Sequence, residues 1–231
     1  EKEIAYFYRA YAKHDLEDFK GSIEDYTKVI ELDPEFTYAY HNRAISKEDL
    51  DDYKGAIEDF NKAIELDPND ADAYANRGRV KNSLDDFTGS MNDLNKAIEL
   101  DPDYVVAYAN RGYLKDSLED FNGAIEDFNK AIELDPDYAF AYVNRGYVKD
   151  SLENFKGAIE DFNKAIELDP DYAFAYANRG YLKDSLENFK GAIEDFNKAI
   201  ELDPDYAFAY ANRGKVKNSL DDYTGSMNDL N

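Results

Sequence analysis

The sequence contains no cysteine and no tryptophan, and it has only two histidines, His14 and His41, among 231 residues. Without cysteine the chain forms no disulfide bond and has no thiol for nucleophilic or redox chemistry. Neither histidine has another histidine or a cysteine at metal-ligand spacing, so we expect both on the surface or in a groove. A lack of cysteine is typical of a reducing compartment, which leads us to expect a cytoplasmic location.

Long apolar runs are absent as well. No run approaches the roughly 18 apolar residues that a membrane-spanning helix needs. The chain opens with Glu1-Lys2-Glu3, directly in the pattern described below, rather than with a signal peptide. We therefore expect no membrane partner.

Positive charge is scarce, because the sequence has 27 Lys and Arg residues but 51 Asp and Glu residues, and the net charge is -24. The electric field of so negative a molecule repels nucleic-acid phosphates and anionic lipids, and it favours basic partners. We therefore expect no nucleic-acid partner. The alternative is that the acids only keep an exposed helical array soluble, and the composition leaves both interpretations open.

Only six prolines are present, and each follows the previous one by 34 residues in a Glu-Leu-Asp-Pro string. A fixed period of this length predicts a repeat architecture in which each unit stacks on its neighbours. Counting from Glu3 as position one gives six full repeats and one partial repeat. Their bounds are 3–36, 37–70, 71–104, 105–138, 139–172 and 173–206, followed by 207–231.

Each repeat carries two helical patterns, as repeat 139–172 illustrates. The chain turns near Asn154, which is placed to cap the second helix, and Pro170 ends that helix because its ring cannot continue the hydrogen-bond ladder. Gly146 recurs inside the first helix, which predicts a close approach between helices. The second helix presents an apolar stripe of Phe155, Ala158, Ile159, Phe162, Ala165 and Ile166.

The residues at fixed repeat positions resemble those of the tetratricopeptide-repeat family over essentially the whole chain. Position four is always Tyr, positions eight and twenty are small, and position twenty-four is aromatic or Leu. The resemblance implies an all-α, right-handed superhelical solenoid of antiparallel helix hairpins. It also implies that positions two, five, six, nine, twelve and thirteen line a concave groove for a protein partner. Arg at position seven departs from the family, and we expect it to cover apolar surface and pair with acids.

The groove positions carry the candidate binding residues. Position six is Asn in six successive repeats, and an amide can pair with both the C=O and the N–H of an extended peptide; the alternative is that it satisfies a neighbouring helix end. Exposed rings at position nine are good anchors, and acids at position twelve suit Lys or Arg side chains. The candidates are Asn42, Asn76, Asn110, Asn144, Asn178 and Asn212; Tyr113, Tyr147 and Tyr181; and Asp116, Asp150 and Asp184.

Rings at position two have two interpretations. Phe140, Phe174 and Phe208 either join the groove or pack against the second helix of the preceding repeat. The sequence does not decide between these.

No catalytic constellation is visible in the sequence. The carboxylates repeat on positions expected to face solvent, such as Glu160-Asp161, whereas a general acid/base pair would break the repeat at one place. We therefore expect no enzyme, no cofactor and no metal. The sequence predicts a scaffold that binds an extended, basic peptide segment. The alternatives are end-to-end self-association through the terminal repeats, with Phe208, Tyr210 and Leu220 poorly covered, and a non-catalytic regulatory arm of a larger protein.

Overall fold

The computed structural model describes residues 2–230, which form fourteen α-helices and no strand. Glu1, with which the sequence opens, and Asn231, with which the partial repeat ends, lie outside the described residues. The helices are α1 (Lys2–Asp15), α2 (Phe19–Leu32), α3 (Thr37–Glu48), α4 (Tyr53–Leu66), α5 (Ala71–Ser83), α6 (Phe87–Leu100), α7 (Val105–Ser117), α8 (Phe121–Leu134), α9 (Ala139–Ser151), α10 (Phe155–Leu168), α11 (Ala173–Ser185), α12 (Phe189–Leu202), α13 (Ala207–Ser219) and α14 (Tyr223–Leu230).

The chain divides into two compact units, the first ending at Leu114 and the second beginning at Lys115. In the first unit α1 packs on α2, α2 on α3, α3 on α4, α4 on α5, and α5 on α6. In the second unit the same sequence of contacts runs from α8 to α14, and the first helices α9, α11 and α13 also contact one another in order. Each repeat therefore contributes one helix to a layer of first helices and one to a layer of second helices.

A shared turn ends each first helix and begins each second helix. In repeat 139–172, Glu153 adopts a left-handed φ of 59°, and the N–H of Asn154 donates to the C=O of Lys149 at 2.8 Å. This is the hydrogen bond that satisfies a carbonyl at a helix C-terminus. The Asn154 side chain then accepts from the N–H of Gly157 at 3.2 Å, which confirms the predicted cap.

The recurrent glycines are explained by close approach. A Cβ on Gly146 would lie 3.0 Å from Cε1 of Phe162 on the facing helix, which confirms the predicted tight helix contact. A Cβ on Gly157 would lie 2.7 Å from Nδ2 of Asn154, so this glycine makes room for the capping side chain. The sequence alone does not reveal that Gly157 makes room for this capping side chain.

The apolar core is shared between neighbouring repeats. One buried cluster joins Val143 of α9 with residues of α10 and also with Ala175 and Leu182 of α11. A single hairpin cannot bury this face alone, so stacking supplies the core. The second helix α10 ends at Leu168, immediately before Asp169-Pro170, as the sequence predicts. The α10 members of the cluster are Ala158, Phe162 and Ala165.

The expectation that Glu160-Asp161 faces solvent is wrong for Asp161, whose exposed fraction is 4%. Arg145 donates to it twice, from Nε to Oδ2 at 2.9 Å and from Nη2 to Oδ1 at 2.6 Å. The Nζ atom of Lys149 lies 2.7 Å from the same carboxylate. Asp161 is buried because helical spacing turns it towards α9, where two cations compensate its charge.

The same arginine also joins the preceding repeat. Nη1 of Arg145 donates to Oδ1 of Asn129 on α8 at 2.6 Å, and its Cζ atom lies 5.4 Å from the ring centroid of Tyr142. The expected pairing of the position-seven arginines with acids is thereby confirmed. Equivalent pairs are Arg9–Asp25, Arg43–Asp59, Arg77–Asp93, Arg179–Asp195 and Arg213–Asp229.

The stability that these arginine–aspartate pairs contribute depends on pH, as the Arg9–Asp25 pair illustrates. Hydrogen bonds from Arg9 lower the pKa of the Asp25 carboxyl below its ordinary value. A carboxyl with a lowered folded-state pKa stabilises the fold above its unfolded pKa of about 3.9. That contribution is lost as the pH falls through the lower, folded-state pKa.

We predict that Asp161→Ala lowers the free energy of unfolding by about 3 kcal/mol, because it leaves Arg145 and Lys149 without their buried counter-charge. The measurement is urea unfolding followed by circular dichroism. Glu160→Ala is the matched control, since Glu160 is the exposed neighbour, and it is expected to change stability by less than about 0.5 kcal/mol. Equal effects of the two substitutions would contradict the account.

Candidate functional site

The candidate site of the second unit lies on α9, α11 and α13. We call it the first-helix face and define it by the amides, rings and carboxylates at positions six, nine and twelve. Its residues are Asn144, Asn178 and Asn212, Tyr147 and Tyr181, and Asp150 and Asp184.

The asparagines of this face are half-buried and share one orientation. In each, Nδ2 donates to the carbonyl four residues earlier in the same helix: Asn144 to Phe140 at 2.8 Å, Asn178 to Phe174 at 2.7 Å and Asn212 to Phe208 at 2.8 Å. The bond reaches the asparagine's own helix and not a neighbouring helix end. One N–H and the Oδ1 acceptor of each amide stay available to a ligand.

The first unit carries the same ladder with local differences. Asn42 donates to the carbonyl of Tyr38 at 2.9 Å and Asn76 to that of Asp72 at 3.0 Å. The Nδ2 atom of Asn110 is buried and has no hydrogen-bond partner. The amide at position six thus recurs in both units, in every repeat from 37–70 onwards.

The predicted aromatic anchors are exposed, with accessible fractions of 47% for Tyr113, 45% for Tyr147 and 37% for Tyr181. Of the position-two rings, Phe208 has its aromatic neighbours outside α12, the second helix of the preceding repeat. Phe208 is also exposed, yet one side of it packs against Tyr206 at a centroid distance of 6.0 Å and against Tyr181 at 6.3 Å. Phe208 therefore lies beside two tyrosines, one of them the predicted anchor Tyr181.

One sequence expectation about this face is wrong. In the second unit position five does not line a groove, since Val143 and Ala177 are fully buried in core clusters. His41, expected on the surface or in a groove, is half-buried and lines a cavity of the first unit: its ring meets that of Phe60 at 5.5 Å, and Nδ1 lies 3.6 Å from Oδ2 of Asp70. His41 and Asp70 depart from the residues of the other repeats, and that departure is the signal that could have identified the contact.

The acids at position twelve are half-buried. Burial raises the pKa of the Asp116 and Asp150 carboxyls. The first unit also holds a cavity of about 780 Å³ beside Tyr38 and Asn42. Its acidic lining residues are Asp33, Glu35, Asp67, Asp70, Asp72 and Asp101.

Within residues 2–230, no group of three or more His, Cys, Asp or Glu side chains is placed to hold a metal ion. None of the helices in this range is both long and apolar enough to cross a membrane.

We predict that Asp150→Asn stabilises the fold at pH 7 by up to about 1 kcal/mol. The folded-state pKa of Asp150 is raised by burial, so the ionised group costs stability as the pH rises above its unfolded pKa of about 3.9. The gain over the parent chain should therefore vanish at pH values below about 4 in urea unfolding. Glu160→Gln, at an exposed site, should show no such gain, and an Asp150→Asn variant less stable at pH 7 would contradict the assignment.

Family comparisons agree with the repeat pattern. Models described as tetratricopeptide repeat match residues 4–36, 71–104, 105–138, 139–172 and 173–206, and a model described as TPR repeat matches residues 49–84. No curated protein matches the chain significantly.

Solved structures with the same fold include the APC/C hetero-tetramer Cut9-Hcn1, at 17% identity and a TM-score of 0.84. The match covers 93% of this chain but only 42% of that one. MamA is 29% identical with a TM-score of 0.60, over 71% of this chain and 96% of that one. YrrB, a TPR protein with an unusual peptide-binding site, is 27% identical with a TM-score of 0.56, over 80% of this chain and 95% of that one. The fold is an all-α repeat solenoid, and the chain belongs to the tetratricopeptide-repeat family.

Proposed function

We propose that this repeat scaffold binds an extended, basic segment of a partner protein along its first-helix face. Tetratricopeptide scaffolds are suited to protein–protein interaction. The observation that carries it is the identical orientation of Asn144, Asn178 and Asn212, one per repeat, with an acceptor left over on each.

The ladder fits a peptide backbone. Each Oδ1 accepts from a backbone N–H of the ligand, and the second Nδ2 hydrogen donates to a backbone C=O. Such contacts are independent of ligand sequence. Tyr147 and Tyr181 then supply specificity, because exposed rings bury a large area at a small entropy cost when a partner covers them.

The charge of the molecule supports a basic ligand. The net charge is -24, and the first unit adds an acid-lined cavity beside Asn42. A cationic segment gains both steering and neutralisation from such a surface. Support of another kind comes from YrrB, whose structure is that of a TPR protein with a peptide-binding site.

The test uses a fluorescein-labelled peptide of alternating basic and small residues, with an acidic peptide of equal length as the reference. We expect the basic peptide to bind and the acidic one not to bind, as measured by fluorescence anisotropy. The triple variant Asn144→Ala, Asn178→Ala and Asn212→Ala should weaken binding at least about tenfold, since it removes the backbone contacts.

The control variant carries four exposed substitutions on the second helices, chosen so that the net charge stays the same. They are Lys156→Ala, Glu160→Ala, Lys190→Ala and Glu194→Ala. This variant should bind like the parent chain. Unchanged affinity in the asparagine variant, with helicity intact, would show that the ladder does not hold the peptide.

End-to-end self-association is a second candidate that stays a prediction. Phe208 and Leu220 are 40% and 48% exposed, as the sequence led us to expect, whereas Tyr210 is half-buried. Light scattering over a range of concentrations tests it: mass should increase with concentration if the terminal repeats associate, and a constant monomer mass would count against association.

A further inference from the structure

One ion pair on the first-helix layer links two successive repeats in the first unit. Arg79, at position nine of its repeat, pairs with Glu48, at position twelve of the repeat before. Both ends of the guanidinium fork engage the carboxylate, with Nη2 2.8 Å from Oε2 and Nη1 bonded to Oε1. The Glu48 side chain is only 10% exposed, so this carboxylate is covered by its arginine.

The same guanidinium also contacts the asparagine ladder. Nη2 of Arg79 donates to Oδ1 of Asn76 at 3.3 Å. A planar fork thus meets three acceptors at once: two carboxylate oxygens and one amide oxygen. An ammonium group concentrates its charge at one atom and does not match this spacing.

Two repeats of the second unit carry the same acceptors with a tyrosine in place of the arginine. Asp116 and Asp150 stand where Glu48 stands in its repeat, while Tyr147 and Tyr181 take the place of Arg79. In the part of the chain that the structure describes, neither aspartate side chain has an ion-pair or hydrogen-bond partner. Both are half-buried, and burial alone raises their carboxyl pKa values. Among residues 2–230, no hydrogen bond is donated to the side-chain oxygens of Asn144 and Asn178, which correspond to Asn76.

We propose that Asp116 with Asn144, and Asp150 with Asn178, are two subsites for arginine side chains of the bound segment. The ligand guanidinium takes the place that Arg79 fills in the first unit, and the exposed ring of Tyr147 or Tyr181 flanks it. Stacking of a guanidinium on an aromatic face adds to the attraction. The inference rests on the proposed function and narrows its basic ligand to one with arginines.

The experiment compares three peptides of equal length that differ only at two positions, which carry arginine, lysine or citrulline. Citrulline keeps the shape of arginine and removes its charge. We expect the arginine peptide to bind the parent chain about tenfold more tightly than the citrulline peptide, with lysine in between. Asp116→Asn and Asp150→Asn together should remove the preference for arginine over lysine, whereas Glu160→Gln with Glu194→Gln, at exposed sites, should leave it unchanged.

A gain-of-binding variant gives an independent test. Arg79→Tyr frees Glu48 and gives the first unit a subsite with the pattern of the second, so the arginine peptide should occupy an additional, weaker site that the citrulline peptide does not occupy. Adding Glu48→Gln should remove that additional site. Circular dichroism checks that each variant is folded, and if Arg79→Tyr does not fold, the two aspartate substitutions decide the question.

The outcomes separate the two proposals. If arginine and lysine peptides bind equally and the aspartate variant weakens both alike, the face binds basic segments and the arginine subsites are wrong. If neither charged peptide binds better than the citrulline peptide, the basic-ligand function itself fails.

Discussion

The buried carboxylate at position twenty-three of each repeat is the constraint on which the rest of the structure depends. In the repeat around Asp161, a doubly hydrogen-bonded arginine and a lysine hold that charge between the two helices of the hairpin. The arginine extends to Asn129 of the preceding repeat. This arginine thereby fixes the pairing of the two helices within a hairpin and also the stacking of that hairpin on the preceding one. Removing the carboxylate is costly because the two cations cannot return to water without opening the hairpin.

This arrangement also determines what the first helices present to a partner. Their recurrent cations, such as Arg145 and Lys149, are turned towards the second helices and neutralise buried acids. The opposite side keeps asparagine amides, exposed tyrosines and carboxylates without internal cations. In a chain whose net charge is -24, the second unit thus presents regularly spaced hydrogen-bonding groups and acids on its first helices. In the first unit, Arg79 shows how a guanidinium fits beside such groups.

Much of the fold could be predicted from the sequence, because capping residues, prolines and glycines determine the structure of the few residues around them. Asn154 and Pro170 bound the second helix where local rules place them. The burial of Asp161 could not be predicted from one helix alone, since Glu160-Asp161 looks like any solvated pair. Its partner lies 16 residues earlier, and only the joint recurrence of Arg and Asp at that separation points to it. Likewise, Arg79 is visible as an interruption of the tyrosines, but its contact with Glu48 depends on how repeats stack.

We propose that ligands meet the asparagines of the first helices and not those of the second helices. Side-chain amide signals in ¹⁵N-labelled protein report this directly, because the chain offers matched sets. Asn144, Asn178 and Asn212 lie on the first-helix face, whereas Asn163 and Asn197 accept from Arg179 and Arg213 between repeats. On titration with the arginine peptide, the first three signals should shift and the other two should stay in place. Shifts confined to Asn163 and Asn197, or spread equally over all five, would contradict the account.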